Sequence, residues 1–162
     1  MIPERVVRGR KNPMHFGLPR RLAEVREAAG LNRQPLSLLA GLGNAAVQRI
    51  EAEGRIPSVE TLERIANALK RSPCWLAFGE ERPWNEAAEL RCAGLAARLR
   101  TAREARGLSR HALGKAAETT GTTVQTIEDG LSMPGLDTVE QLAKALQVTP
   151  CWLAFGFGDG PR

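Results

Sequence analysis

Pro73-Cys74-Trp75-Leu76-Ala77-Phe78-Gly79 recurs letter for letter as Pro150-Cys151-Trp152-Leu153-Ala154-Phe155-Gly156, 77 residues further on. Sliding the chain by the same interval aligns residues 18–79 with residues 95–156 without a gap, and 28 of these 62 positions are identical. Shorter echoes pair Arg26-Glu27-Ala28 and Gly30-Leu31 with Arg103-Glu104-Ala105 and Gly107-Leu108. Val47-Gln48 and Ile50-Glu51 likewise return as Val124-Gln125 and Ile127-Glu128. A repeat of this kind fixes the architecture before any residue-level reading, so the chain is treated as one unit duplicated in tandem. The expected organisation is an N-terminal arm (1–17), a first domain (18–79), a linker with the start of the next helix (80–94), a second domain (95–156) and a tail (157–162).

Within one unit, apolar residues recur at helical spacing and nowhere at the period of two that marks a half-buried strand. The first helix is predicted over about residues 19–29, carried by Leu22, Val25 and Ala29, and Gly30 ends it. Asn32 is expected to cap a second helix over about residues 33–39, as Ser109 caps its twin. A third spans about residues 44–53 with Val47 and Ile50 inward, and a fourth follows Ser58 with Val59, Leu62, Ile65, Ala66 and Leu69 on one face. The fifth opens at Ser72-Pro73 and Thr149-Pro150, a capping hydroxyl followed by proline at the first helical position. The fold is therefore expected to be all-α, with two five-helix domains. In the connector, Asn85 followed by Glu86 and Glu89 reads as a helix cap, so the second copy's first helix is expected to start near Glu86. Trp75, Phe78, Trp152 and Phe155, four of the seven aromatic residues, all fall in the fifth helices. They either close each unit's core, or pack the two units together or form a dimer face.

Composition narrows the function classes. No apolar run approaches the ~18 residues of a membrane span, and the start of the chain has no apolar signal segment. Three cysteines, an odd number, argue against a disulfide framework and suit a reducing cytoplasm, with Cys74 and Cys151 as small buried side chains. No cysteine pair has the spacing of zinc ligands and there are only two histidines, so no metal or cofactor is expected. His15 lies ahead of the first unit and His111 on a helix surface, with no nucleophile beside either in the pattern, so no catalytic residue is expected. The net charge of +5 suits a polyanionic partner.

The series Leu31-Asn32-Arg33, Leu36, Ala40-Gly41, Val47, Ile50-Glu51, Pro57 and then Pro-Cys-Trp-Leu resembles the Cro/repressor (XRE) family of helix-turn-helix proteins. The resemblance covers both copies and implies a lambda-repressor-like fold in which the third helix lies in the major groove of double-stranded DNA. It implies roles for Asn44, Ala45, Gln48 and Arg49 on the outward face of that helix; Asn and Gln suit adenine, and Arg suits guanine. Arg33 stands where the family often has glutamine, at the start of the second helix, and is a candidate for phosphate together with Arg55 in the following turn. In the second copy the corresponding outward positions are Gly121, Thr122, Gln125 and Thr126, with Arg110 as the twin of Arg33, so the base-reading arginine is lost. No basic residue lies between Thr120 and Gly135, Asp129 points toward phosphate, and Glu118 replaces Gly41 where a left-handed backbone is expected.

Arg5, Arg8, Arg10 and Lys11 form a basic arm ahead of the first helix, suited to a minor groove or else a plain tail. The expectation is a cytoplasmic transcriptional regulator whose two copies act as an intramolecular pseudo-dimer, or whose second copy packs or forms a homodimer. The alternative is an antitoxin-like or adaptor module that no longer reads DNA.

Overall fold

The computed structural model describes residues 13–162. Ten helices follow in two equivalent sets: α1 (Leu18–Ala28), α2 (Arg33–Leu39), α3 (Ala46–Glu51), α4 (Val59–Ala68) and α5 (Pro73–Phe78), then α6 (Leu95–Ala105), α7 (Arg110–Ala116), α8 (Gly121–Glu128), α9 (Leu136–Leu146) and α10 (Pro150–Phe155). A short 3-10 turn leads into each set, Met14–Gly17 before α1 and Arg91–Gly94 before α6. Among the described residues no strand forms, and one isolated bridge joins Ser58 to Gly135. No helix among them is long and apolar enough to cross a membrane.

The buried apolar side chains of the two sets join in one cluster. Leu18, Leu22, Leu36, Val47, Ile50, Val59, Leu62, Ile65 and Leu76 are buried in the first, and their counterparts from Leu95 to Leu153 in the second. Fully burying one such side chain contributes about 1.5–3 kcal/mol, and the α4 and α9 stripes supply several each. The stripe predicted for the first helix continues from Leu18 and Leu22 to the buried Arg26, while Ala29 is exposed. Gly79 and Gly156 end α5 and α10 in the left-handed region, with φ of 73° and 76°. There the Arg21 and Arg98 guanidiniums lie against the glycines and bond the terminal carbonyls: Arg21 Nε donates to Leu76 O at 2.9 Å and Arg98 Nε to Leu153 O at 2.9 Å.

The two sets meet through contacts that recur under the 77-residue shift. Cys74 and Cys151 form a disulfide with 5.3 Å between Cα atoms, and the Phe78 and Phe155 rings lie 6.4 Å apart. Val59 N–H donates to Pro134 O (2.9 Å), and Leu136 N–H returns to Pro57 O (3.2 Å). Glu63 accepts from the Arg91 and Cys92 amides, and Glu140 accepts from those of Met14 and His15. Every one of these pairs is reciprocal under the 77-residue shift, which is the signature of an isologous contact about a two-fold axis, here internal to one chain.

Three local expectations are corrected. Cys74 and Cys151 are bonded to each other, and only Cys92 is free. Equal settings in two copies placed them face to face on the pseudo-axis, something composition cannot register. The second copy does not begin a helix near Glu86: α6 starts at Leu95, as α1 starts at Leu18. Glu63 captures the amides of Arg91 and Cys92, so the 3-10 turn, and not Asn85, delivers the chain into α6. Asn32 and Ser72 make no side-chain cap bond, whereas Ser109, Ser58 and Thr149 do. Trp75 and Trp152 are half-buried, with Arg71 stacked 4.1 Å over Trp75, and it is the phenylalanines that join the units.

Candidate nucleic-acid interface

In the first copy, α3 is held by two anchors that the outward-facing residues do not share. Arg26 on α1 binds the buried Glu51 carboxylate bidentately, Nε and Nη2 each at 2.8 Å, and its Nη1 donates to Leu31 O at 2.9 Å. The hydrogen bond to Glu51 raises the Arg26 guanidinium above its ordinary value although burial opposes it. Ser37 supplies the second anchor: its hydroxyl accepts from Val47 N–H at 3.0 Å and donates to Arg33 O at 2.9 Å. With Val47 and Ile50 buried between these anchors, Gln48 and Arg49 are turned to solvent. Asn44 is exposed and Ala45 half-buried in the turn just ahead of α3.

Arg33 opens α2 with its side chain 43 % exposed and its Nε 3.6 Å from Glu51, a contact it shares with the stronger Arg26 pair. Arg55 is exposed after α3, its amide bonded to Arg49 O at 2.9 Å. Among the described residues neither Arg49 nor Arg55 is paired with a carboxylate, so both guanidiniums are available to an external anion.

The second copy keeps the anchor and changes the face. Arg103 grips Glu128 at 2.7 and 2.9 Å, and Arg100 and Arg110 approach the same carboxylate at 3.4 and 3.5 Å. Burial alone would raise the Glu128 carboxyl, but the hydrogen bond and charge of Arg103, with help from Arg100 and Arg110, hold it below the usual carboxylate range. Arg110 also faces Asp129 at 4.0 Å. Asp129 therefore has a guanidinium to answer it, and the charge of Arg110 is partly neutralised before any ligand arrives. Thr122 and Gln125 are exposed on α8; Thr126 is half-buried and donates its hydroxyl back to Thr123 O at 2.9 Å.

The two third helices also begin differently. Thr120 accepts from Thr123 N–H at 3.1 Å and starts α8 at Gly121, whereas its twin Gly43 has no side chain and α3 starts two residues later in register, at Ala46. Gly114, the twin of Ser37, lets α8 approach closely: a Cβ there would fall 2.6 Å from Gly121 N. Glu118 takes φ of 58°, the left-handed position that its twin Gly41 fills at 74°.

Arg26–Glu51 and Arg103–Glu128 were not singled out as pairs from sequence. The signal was present, because all four residues are among the identities of the repeat and sit 25 apart in both copies. Arg5, Arg8, Arg10 and Lys11 lie outside the described residues. Among the described residues no cluster of three metal-binding side chains occurs, and the free thiol of Cys92 is pushed up to about 12 by burial and by Glu63.

A family profile described as helix-turn-helix matches residues 22–76, and a second, described as helix-turn-helix domain, matches residues 94–154. No curated protein matches the chain. Among solved structures, the P22 c2 repressor in complex with synthetic operator 9T is 26 % identical, covering 43 % of this chain and 98 % of its own, with a TM-score of 0.38. The restriction-modification controller protein C.AhdI from Aeromonas hydrophila is 32 % identical over 36 % of this chain and 89 % of its own, with a TM-score of 0.36. The N-terminal DNA-binding domain of SinR from Bacillus subtilis is 24 % identical over 46 % of this chain and all of its own, with a TM-score of 0.37.

Proposed function

The chain belongs to the Cro/repressor-type helix-turn-helix proteins, with two tandem copies of the domain, and from that premise we propose that it is a sequence-specific DNA-binding transcriptional regulator. The observation that carries this reading is the α3 face. Exposed Gln48 and Arg49 on α3, Asn44 in the turn ahead of it and Arg55 after it surround a helix whose other side is locked to α1 and α2, and among the described residues neither arginine is paired with a carboxylate. Guanidinium and carboxamide groups are the side chains that pair bidentately with guanine and adenine edges. Arg33 and Arg55 take phosphate. Arg110, Thr122, Gln125 and Thr126 form the equivalent face of the second copy, with weaker electrostatics because Glu128 and Asp129 already claim Arg110.

In this reading the reciprocal interface makes the chain an intramolecular pseudo-dimer. Its half-sites then lie about one helical turn, roughly 34 Å, apart. Because the two faces differ, the site is asymmetric. Selection of bound duplexes from a randomised pool by the full-length protein tests this directly. Two unlike half-sites one turn apart are expected; a palindrome would mean that a homodimer reads through the first copy alone, and no enrichment would reject specific binding. Arg49→Ala is expected to lose about 1–3 kcal/mol of discrimination at one base pair.

A second reading is favoured by one observation: the stretch from Thr120 to Gly135 carries no basic residue. The second copy would then serve packing or a protein partner, as in an adaptor or antitoxin-like module. Partner binding unchanged by Arg49→Ala would support it.

A further inference from the structure

A hollow of about 370 Å³ opens where the first copy meets the second, a volume within the range of small-molecule sites. Glu60 on α4 comes from the first copy. Cys92, Ala93 and Ala96, in the 3-10 turn and at the start of α6, come from the second, as do Leu131 and Met133 in the turn after α8. Leu131 lines the hollow and is still 78 % exposed, so a guest would cover apolar surface that water now meets.

The 77-residue shift says what kind of guest fits. Cys92, Ala93 and Ala96 stand where the first copy has His15, Phe16 and Pro19, and the two 3-10 turns that carry them are in the same register. In the first copy the His15 and Phe16 rings meet edge to face, with centroids 5.2 Å apart. In the second copy the same turn offers only a thiol and a methyl group. The group that would give the second copy what the first already has is an aromatic ring. The thioether of Met133 is a favourable neighbour for one.

Electrostatics choose among aromatic molecules. Among the described residues Glu60 lines the hollow, and no arginine or lysine does. Glu60 Oε1 accepts from Arg64 Nη2 at 2.9 Å, and among the described residues its Oε2 accepts from none. Burial and Glu63 push the Cys92 thiol up to about 12, so that wall is uncharged at neutral pH. A carboxylate on the guest would meet Glu60 unfavourably, whereas an ammonium gains a charge-assisted hydrogen bond.

We propose that this hollow is a binding site for a small aromatic amine, its ring against Ala93, Ala96 and Met133 and its ammonium on Glu60. The occupant touches both copies, and its binding does not depend on the DNA-binding reading.

The test titrates the full-length oxidised protein with phenethylamine and with phenylacetate, following methyl groups by NMR. Saturable shifts at Ala93, Leu131 and Met133 are expected with phenethylamine at a Kd of about 1 mM or tighter, the range open to a ligand of this size. Phenylacetate, a similar ring carrying a carboxylate, should bind at least about fivefold more weakly, and Glu60→Gln should bring the two within about twofold. Ala93→Phe, which gives the second copy the first copy's residue, should weaken phenethylamine at least about tenfold. Ala93 is exposed and Glu60 partly so; an unchanged Tm and a count of one free thiol confirm the fold of each variant. No saturable shift by about 20 mM phenethylamine would overturn the proposal. Wild-type affinity in a folded Ala93→Phe would do the same. Should Ala93→Phe melt early, Glu60→Gln decides: an undiminished preference for the amine would overturn the site.

Discussion

Replacing the Cys74–Cys151 bridge by Cys74→Ala/Cys151→Ala isolates the contribution of the pseudo-axis to stability. Both cysteines are fully buried and the residues they join are 77 apart. A cross-link closing a loop of that length removes unfolded-state entropy worth about 4.5 kcal/mol at 25 °C in the chain-entropy treatment. The native contact survives the change in its other parts, since Phe78–Phe155, the two backbone bonds between residues 57–59 and 134–136, and the Glu63 and Glu140 caps do not involve sulfur. The loss therefore falls mainly on the unfolded state. At about 2–4 °C of Tm per kcal/mol for a chain of this size, the variant should melt about 9–18 °C below the oxidised protein. Differential scanning calorimetry of the oxidised, reduced and doubly substituted proteins measures this, and a thiol count in denaturant states which form is present. The oxidised chain should show one free thiol, Cys92. A Tm difference under about 2 °C with one thiol counted would refute the loop-closure reasoning. Three thiols in protein purified without reductant would refute the pairing itself.

Glu128→Gln leaves three guanidiniums around a neutral buried amide and is expected to cost about 3–5 kcal/mol by urea unfolding, as loss of one partner from a buried pair does. The pH dependence has a definite sign. Glu128 is held below its unfolded value of 4.5, so its contribution is fully present above that pH and is lost as pH falls through the lower folded value. The acid limb of Tm should therefore be shallower in Glu128→Gln than in wild type. Gly114→Ala forces a methyl group into the Thr120–Gly121 backbone and should destabilise by about 1–3 kcal/mol, whereas Ser37→Ala removes the hydroxyl bonded to Val47 and should lower stability without a clash. Thr126→Arg combined with Asp129→Ala restores the first copy's reading arginine to α8 and removes its nearest carboxylate. Duplex selection should then shift toward a palindrome, and an unchanged selected site would mean that the α8 face does not read bases.

The all-helical fold was legible because the repeat halves the problem and the fourth-helix stripe has an unmistakable period. Gly30, Ser58 and Pro73 mark boundaries by local chemistry alone: α1 and α2 begin and end, and α4 and α5 begin, within a residue or so of expectation, while α3 is two residues shorter at each end. What was not legible depends on tertiary partners. The connector carries a plausible cap at Asn85, yet the Glu63 carboxylate, 28 residues upstream of Arg91, decides where the next element begins. Asn32 has the right chemistry for a cap and makes no such bond. The outward direction of Gln48 and Arg49 could be read from Val47 and Ile50. The pairing state of Arg33 and Arg110 could not, because it depends on how Glu51 and Glu128 share their oxygens among several guanidiniums.

The same geometry explains why the two copies agree where they do. In an isologous contact each pairing across the axis is repeated between the twins of its two members, and only residues on the axis touch their own twins, as Cys74 and Cys151, Phe78 and Phe155, and Ser58 and Gly135 do. Cys74/Cys151, Phe78/Phe155, Pro57/Pro134 and Glu63/Glu140 are identical, whereas Ser58/Gly135, Val59/Leu136, Met14/Arg91 and His15/Cys92 differ and meet their partners through backbone groups. The reading faces lie away from these joint contacts, and each would meet a separate half-site. There the copies diverge freely: Arg49 against Thr126, Gly54 against Leu131, Arg55 against Ser132. A homodimer cannot separate these demands, because one substitution alters both half-sites together. Covalent duplication separates them, keeping a symmetric joint while allowing two unlike reading heads. The joint keeps its sulfur, ring and carboxylate members in both copies, while the reading faces keep Arg33/Arg110 and Gln48/Gln125 and part at Arg49/Thr126 and Arg55/Ser132.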